Sequence, residues 1–172
     1  MSETIYYDDL QFDNYEFLIA ISEKGLVYLD IVSKELDNVT VFFAKYKEEV
    51  TLVHNPQKVA PYKTKLAQYL KGQRQIFEMP VDFGKRGTAF QQAVWQELLR
   101  VPFGESSSYS LLAETVGRPQ ATRAVGTAVG KNPIPIIVPC HRILRKDGGI
   151  GGYAGGLPLK YRLLEIEGIP CN

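Results

Sequence analysis

The chain has 172 residues, 45% of them apolar, with 20 Lys/Arg against 19 Asp/Glu. That length suits one large domain or two small ones around a real core, and the balanced composition excludes a disordered tail or a protein that is basic throughout. No apolar run approaches the roughly 18 residues of a membrane-spanning helix, and the acidic start MSETIYYDDLQFDNYEF lacks the basic and apolar regions of a secretory signal, so a cytoplasmic or nucleoid location is expected.

From the N-terminus, EFLIAISEKGLVYLDIV (residues 16–32) reads as a β-hairpin. Two apolar, β-branched and aromatic runs flank Glu23-Lys24-Gly25, whose glycine suits a left-handed turn position. NVTVFFAKY offers a further strand or a mixed segment. PYKTKLAQYLKGQ (residues 61–73) reads as a helix with proline at its start and Gly72 near its end. His54 lies in the polar turn VHNP and reads as a surface histidine. Residues 1–80 thus form a small α/β unit without a catalytic constellation. MPVDFGKRG (residues 79–87) reads as a linker into a second domain over 81–172.

The texture then turns helical. Thr88 and Gln91 form a capping-box pattern, and Phe90, Val94 and Leu98 follow at i, i+4, i+8 as a core stripe. SSYSLLAETVG (residues 107–117) is a short helix with Ser108 as N-cap and Gly117 as stop. RPQATRAVGTAVGKN begins a third helix with Pro119 in its first turn. Two short helices around a tight GRPQ turn suggest helix-turn-helix. On the third helix, Ala121, Ala124, Val125 and Ala128 make the buried face, and Arg123, Gly126, Thr127 and Gly130 the opposite one. Each glycine costs a helix interior about 1 kcal/mol relative to alanine. A face of one arginine and small residues fits close approach to a duplex minor groove, or simple packing against the N-terminal unit. Between Arg100 and Arg162, nine basic residues face three acidic ones, a candidate surface for an anionic ligand.

KNPIPIIVPCHRIL carries prolines at 133, 135 and 139, which predict an extended, rigid segment. Two cysteines (140, 171) and two histidines (54, 141) show no metal-ligand spacing, which argues against structural zinc. A Cys140–Cys171 disulfide is disfavoured in a reducing compartment. A buried cysteine is ordinarily structural, but His141 and Arg142 supply the polar, cationic surroundings that favour thiolate. Adjacent side chains diverge in an extended strand, so a direct Cys-His pair is disfavoured and a water-bridged one is easier. The residues alone give a candidate nucleophile beside a candidate helix-turn-helix.

The string NPIPIIVPCHRIL resembles the active-site signature of the O6-alkylguanine-DNA alkyltransferases. GTAFQQAVWQELLRVPFGESSSYSLLAETVGRPQATRAVGTAVGKNP and GGIGGYAGGLPLKYRLLEIEG resemble the same family in order and spacing, so the likeness covers residues 87–168. It implies a ribonuclease-H-like α/β domain followed by a helical, winged-helix-like domain that binds the minor groove of double-stranded DNA carrying alkylated guanine. It also implies a monomer with no cofactor and no metal. By resemblance Cys140 is the nucleophile, His141 takes its proton through a water, Glu167 fixes the imidazole tautomer, Asn132 holds the active-site turn and Lys160 supports the site. Arg123 is the finger that fills the gap left by a flipped base, while Thr122, Ala124 and Gly126 line the groove. Tyr109 crowds the flipped nucleotide's phosphate and donates to ring N3. Pro135 and Tyr153 wall the pocket, a backbone N–H near Ala154 donates to O6, and the carbonyls of Cys140 and Ile143 read the exocyclic amine. The thioether product has no route back, so the protein acts once. Three alternatives stand beside it: a lesion sensor without chemistry, against which Cys140, His141, Asn132 and Glu167 are all in place; a plain helix-turn-helix regulator, which does not explain Pro-Cys-His-Arg with Glu167; and a cysteine hydrolase, which the adjacency of Cys140 and His141 disfavours.

Overall fold

The computed structural model describes residues 2–171. The chain divides after Arg86 into two compact units. The first is a four-stranded mixed sheet in the order β3-β2-β1-β4, built from β1 (Glu3–Phe12), β2 (Tyr15–Ser22), β3 (Gly25–Asp30) and β4 (Val50–His54). The predicted hairpin is β2-β3, antiparallel. The acidic N-terminal segment supplies the central strand β1, antiparallel to β2 and parallel to β4. All residues of β2 from Phe17 to Ser22 are buried, as expected of a near-continuous apolar run covered on both faces.

Several expectations for this unit are corrected. NVTVFFAKY lies in helix α1 (Leu36–Lys45), which packs Val39 and Phe43 into a core cluster with Ile5, Leu18, Ala20 and Val27. The helix penalty of its β-branched residues is a few tenths of a kcal/mol each, less than the burial of one aromatic side chain is worth. Helix α2 (Pro56–Leu70) begins five residues before Pro61: Asn55 caps it by accepting the Lys58 N–H, and Pro56 takes the first-turn position. Pro61 sits inside the helix and forgoes one hydrogen bond. His54 is not in a turn but ends β4, where Nε2 lies 2.9 Å from an Asp8 oxygen, and Lys63 reaches the other at 3.3 Å.

The segment 79–87, expected as a linker, is partly sewn to this sheet. Leu26 donates to the Pro80 carbonyl at 2.9 Å and accepts from Asp82 at 2.7 Å. This crossing also explains Gly25, whose φ is +148° rather than left-handed helical. A Cβ there would lie 2.7 Å from the Pro80 oxygen.

The second unit holds helices α3 (Ala89–Leu98), α4 (Tyr109–Thr115), α5 (Thr122–Gly130) and α6 (Leu157–Glu167). It also holds a two-strand parallel pair, β5 (Ser107–Ser108) with β6 (Ile143–Leu144). The Thr88–Gln91 capping box forms in both directions, and Val94, Trp95 and Leu98 are fully buried. The Trp95 indole donates to the Ala128 carbonyl at 2.9 Å and ties α3 to α5. Ser108 caps α4 through the Leu111 N–H, and Gly117 takes a left-handed φ of +78°. Helix α5 starts at Thr122, so Pro119 lies in the turn ahead of it rather than in its first turn. Its buried residues are Val125, Ala128 and Val129. Ala124, assigned by periodicity to the buried face, is exposed: the burial stripe of so short a helix is narrow and is set by where α3 and α4 pack.

Replacing Thr88 with alanine removes one half of the capping box on an exposed side chain. It should lower stability by about 1 kcal/mol, read as a lower urea midpoint with an unchanged slope. An unchanged midpoint would mean the box is not needed for α3.

Candidate active site

Residues 132–144 form the floor of the site. Asn132 donates through Nδ2 to the Val138 carbonyl (2.8 Å) and accepts the Ile134 N–H on Oδ1 (2.9 Å), so a single amide closes the loop carrying the prolines. Within that loop the buried, β-branched Ile136 has φ +74°. This is a conformation that such a residue adopts only where its surroundings impose it. The segment is rigid as expected but not extended to its end. Cys140–Arg142 make one 3₁₀ turn, closed by Arg142 N–H to the Pro139 carbonyl at 3.0 Å. The proline ahead of this turn gives no hydrogen-bond donor away there, which is why a proline-rich string can still enter a helical turn.

Cys140 lines a cavity of about 210 Å³ together with Tyr109, Gly126, Val129, Gly130, Asn132, Pro135, Gly152, Tyr153 and Ala154. Six of the expected site residues besides Cys140 therefore meet at one hollow: Tyr109, Gly126, Asn132, Pro135, Tyr153 and Ala154. Two glycines of α5 belong to this lining. A Cβ on Gly126 would make only an ordinary contact, 3.9 Å from the Tyr109 ring, and one on Gly130 would meet open space, so both positions keep their side of the cavity free of bulk without being forced to glycine by a close approach. Thr122, Arg123 and Ala124 stand exposed on the same helix, outside the lining. Ile143 is fully buried and also outside the lining, with its carbonyl accepting Lys160 Nζ at 2.8 Å. Of the nine basic residues counted along this stretch, Arg142 and Lys160 are buried and belong to the interior.

The residues that follow Cys140 in the chain belong to a buried ionic cluster. His141 is wholly buried, with Nε2 2.6 Å from Glu167 Oε2. Arg142 reaches both oxygens of the same carboxylate, Nε to Oε1 at 2.7 Å and Nη2 to Oε2 at 3.1 Å, and also donates to the Val101 carbonyl at 2.6 Å. The Gly104 N–H adds a contact to Oε1 at 3.1 Å. Lys160 donates to Ile143 and to the Gly152 carbonyl at 3.1 Å, pinning the loop that forms the cavity's outer wall. Lys160 and Glu167 lie one face apart by seven residues on α6, in a stripe otherwise made of Leu159, Leu163 and Leu164. Charges inside an apolar helical stripe are a signal readable from sequence. The partnership of Arg142 and Gly104 with Glu167 is not, since it joins residues far apart in the chain.

The electrostatics follow from burial. The Cys140 thiol is pushed up to about 11, with Asn132 and the Lys160 charge opposing the shift, so burial favours the protonated thiol at neutral pH. Burial lowers His141 below its ordinary value, against the pull of Glu167. Tyr109 is raised by burial and by Cys140, which keeps the phenol a hydrogen-bond donor. With Nε2–H committed to a carboxylate, the His141 lone pair resides on Nδ1. Among the described residues, no group of three or more His, Cys, Asp or Glu side chains is placed to hold a metal ion.

Residues 5–83 match the ribonuclease-like domain, and residues 89–169 the DNA-binding domain, of 6-O-methylguanine DNA methyltransferase. The chain belongs to that family. The inducible methylated-DNA–protein-cysteine methyltransferase of Bacillus subtilis is 40% identical over 164 residues, which cover 95% of this chain and 90% of the relative. The O6-methylguanine methyltransferase of Mycobacterium tuberculosis superposes with a TM-score of 0.80 at 34% identity, covering 95% of this chain and 92% of that one. A structure of the same protein in complex with DNA gives 0.77 over the same coverage. The methyltransferase fold of this chain is thus the expected one, a mixed-sheet N-terminal domain and a helical DNA-binding domain. No helix among the described residues is long and apolar enough to cross a membrane.

Burial lowers the Lys160 ammonium to about 8 from the usual 10.5. Between those values the unfolded chain binds more protons than the folded one, so Lys160 makes stability rise with pH across that window. Cys140, raised from 9 to about 11, acts in the opposite sense above pH 9. A Cys140→Ala variant should therefore gain stability from about pH 8 to 10, by at most about 1.4 kcal/mol per unit. Cys140→Ala/Lys160→Met should lose that gain, as read from urea midpoints. Parallel pH profiles for the two variants would show that Lys160 is not held as a buried cation.

Proposed function

We propose that this protein repairs double-stranded DNA by removing O6-alkyl groups from guanine and transferring them irreversibly to Cys140. The observation that carries the assignment to this cysteine is its place in the lining of a cavity of about 210 Å³, which Tyr109 also lines, next in the chain to the His141 that pairs with Glu167. A base within a duplex cannot present its O6 substituent to a buried sulfur, so the nucleotide must swing out of the stack. The hollow between α5 and the Gly152–Ala154 wall is where it would enter. Arg123, exposed on α5, fills the space left in the stack, and Thr122 and Ala124 on the same helix meet the minor groove, where small side chains permit close approach.

The chemistry is displacement at the alkyl carbon. The protonated thiol gives its proton through a water to His141 Nδ1, and the sulfur attacks as thiolate, a soft nucleophile suited to carbon. The S–C bond forms as the C–O6 bond breaks, and the electron pair leaves with guanine. Donors aimed at the departing base lower that barrier: the Tyr109 hydroxyl at ring N3 and a backbone N–H near Ala154 at O6. Lys160 serves by holding the Gly152 carbonyl, and with it the wall, in place. The thioether is a dead end, so one protein repairs one lesion. The same reading makes the protein a monomer working in the cytoplasm, without a cofactor.

Incubation with duplex DNA carrying O6-methylguanine should raise the intact protein's mass by one CH₂, SH becoming SCH₃, in a one-to-one burst located on Cys140. No gain, or a gain that survives Cys140→Ala, would remove the assignment. Replacing Arg123 with alanine should slow reaction with duplex DNA about tenfold or more while changing reaction with free O6-methylguanine by less than about twofold. Equal slowing of both would exclude the finger role.

A further inference from the structure

The Glu167 carboxylate accepts two hydrogen bonds on each oxygen: Arg142 Nε (2.7 Å) and Gly104 N–H (3.1 Å) on Oε1, Arg142 Nη2 (3.1 Å) and His141 Nε2 (2.6 Å) on Oε2. A carboxylate has about four such acceptor sites, and these four donors account for them. A proton on either oxygen would displace a donor in a dry interior, so the group stays an anion. Arg142 is itself fixed. Its third nitrogen donates to the Val101 carbonyl at 2.6 Å, and its guanidinium lies 5.9 Å from the Phe103 ring centroid. The fork geometry of this pair is available to arginine and not to lysine.

The consequence concerns charge. A buried imidazole beside a lone carboxylate would be held as imidazolium, and an imidazolium cannot take a proton from a thiol. Here the carboxylate is already balanced by a permanent cation. The charged groups acting on His141 are Glu167 and Lys160 from α6 and Arg142 from its own turn, two cations against one anion.

We propose that Arg142 is a positioning residue for alkyl transfer: by clamping Glu167 as a balanced anion it orients His141 and keeps it neutral, ready to accept the Cys140 proton. This rests on the assignment of Cys140 and His141 made above. During the reaction the proton moves from sulfur to His141, and the cluster gains one positive charge as the sulfur gains one negative, so the net charge of the interior does not change.

The test uses the full chain. It contains only two histidines, so ¹⁵N NMR can follow His141, with His54→Gln giving the assignment. In the wild type, His141 should be neutral and protonated on Nε2 at about pH 7. An imidazolium at that pH overturns the proposal, and this measurement needs no variant at the clamp. In Arg142→Met the His141 midpoint should rise by about one pH unit or more. The acid limb of the methyl-transfer rate should move up with it, since transfer requires the neutral ring. Arg142→Lys, which keeps the charge and loses the fork, should keep its limb close to the wild-type position at a reduced plateau. A rate lowered evenly at every pH in Arg142→Met, or a limb displaced as far in Arg142→Lys as in Arg142→Met, overturns the proposal. If the wild type fails to gain a methyl group on Cys140, the functional assignment fails, whereas the histidine titration reports on the clamp regardless.

Discussion

The second domain is organised around one buried carboxylate. Glu167 ends α6, and its two oxygens collect donors from the 3₁₀ turn at 140–142 and from the loop at 101–104. Three segments distant in sequence are thereby fixed relative to one another by charge-assisted hydrogen bonds. Taking a carboxylate, a guanidinium and an imidazole out of water is costly, and leaving any one unpaired costs about 3–5 kcal/mol. The cluster is therefore poor value as a stabiliser and good value as a device that tolerates only one arrangement. That arrangement sets the turn on which Cys140 stands.

The cavity is made by absence of side chains as much as by their presence. Gly126 and Gly130 open one side, and Gly151, with φ +68°, brings the outer wall close enough that a Cβ there would lie 3.3 Å from the Tyr109 hydroxyl. The helix pays in intrinsic stability for its glycines, and α3 compensates through the buried Trp95 and its bond to the Ala128 carbonyl. A wall tied by Lys160 through the Gly152 carbonyl on one side and a helix free of bulk on the other leave a hollow next to a sulfur whose protonated form burial favours. Desolvation acts on both neighbours: it raises the Cys140 thiol to about 11 and lowers the His141 imidazole below its ordinary value.

Local signals in the chain read true where the deciding physics is local. The β2-β3 hairpin, the Thr88–Gln91 box, the Ser108 cap and the Gly117 stop each rest on contacts within a few residues. The helical state of 36–45 did not, because its β-branched residues favour strand until Val39 and Phe43 find a core on the sheet. The start of α2 is not legible locally, because a proline inside a helix resembles a proline at its beginning. His54 is the surface histidine that the polar VHNP string predicts, while its contact with Asp8, 46 residues away, is not legible locally.

For the site, the sequence by itself marked Cys140 as a candidate nucleophile on a proline-stiffened segment and α5 as a helix with one face of small residues, since stiff prolines and permissive glycines act on the chain next to them. Asn132, Tyr109, Lys160 and Glu167 are legible only through the family resemblance of the assembled string. Only the tertiary structure decided how those groups divide. Ala124 went outward, the Ile143 carbonyl went to Lys160, and Arg142 went inward to Glu167. The reason is that a buried charge takes whichever partners the fold brings within about 3 Å, and that distance is not written in sequence spacing. Cys140 and His141, adjacent in the chain, therefore serve through different surroundings: one faces a cavity, the other a carboxylate supplied from the end of the last helix.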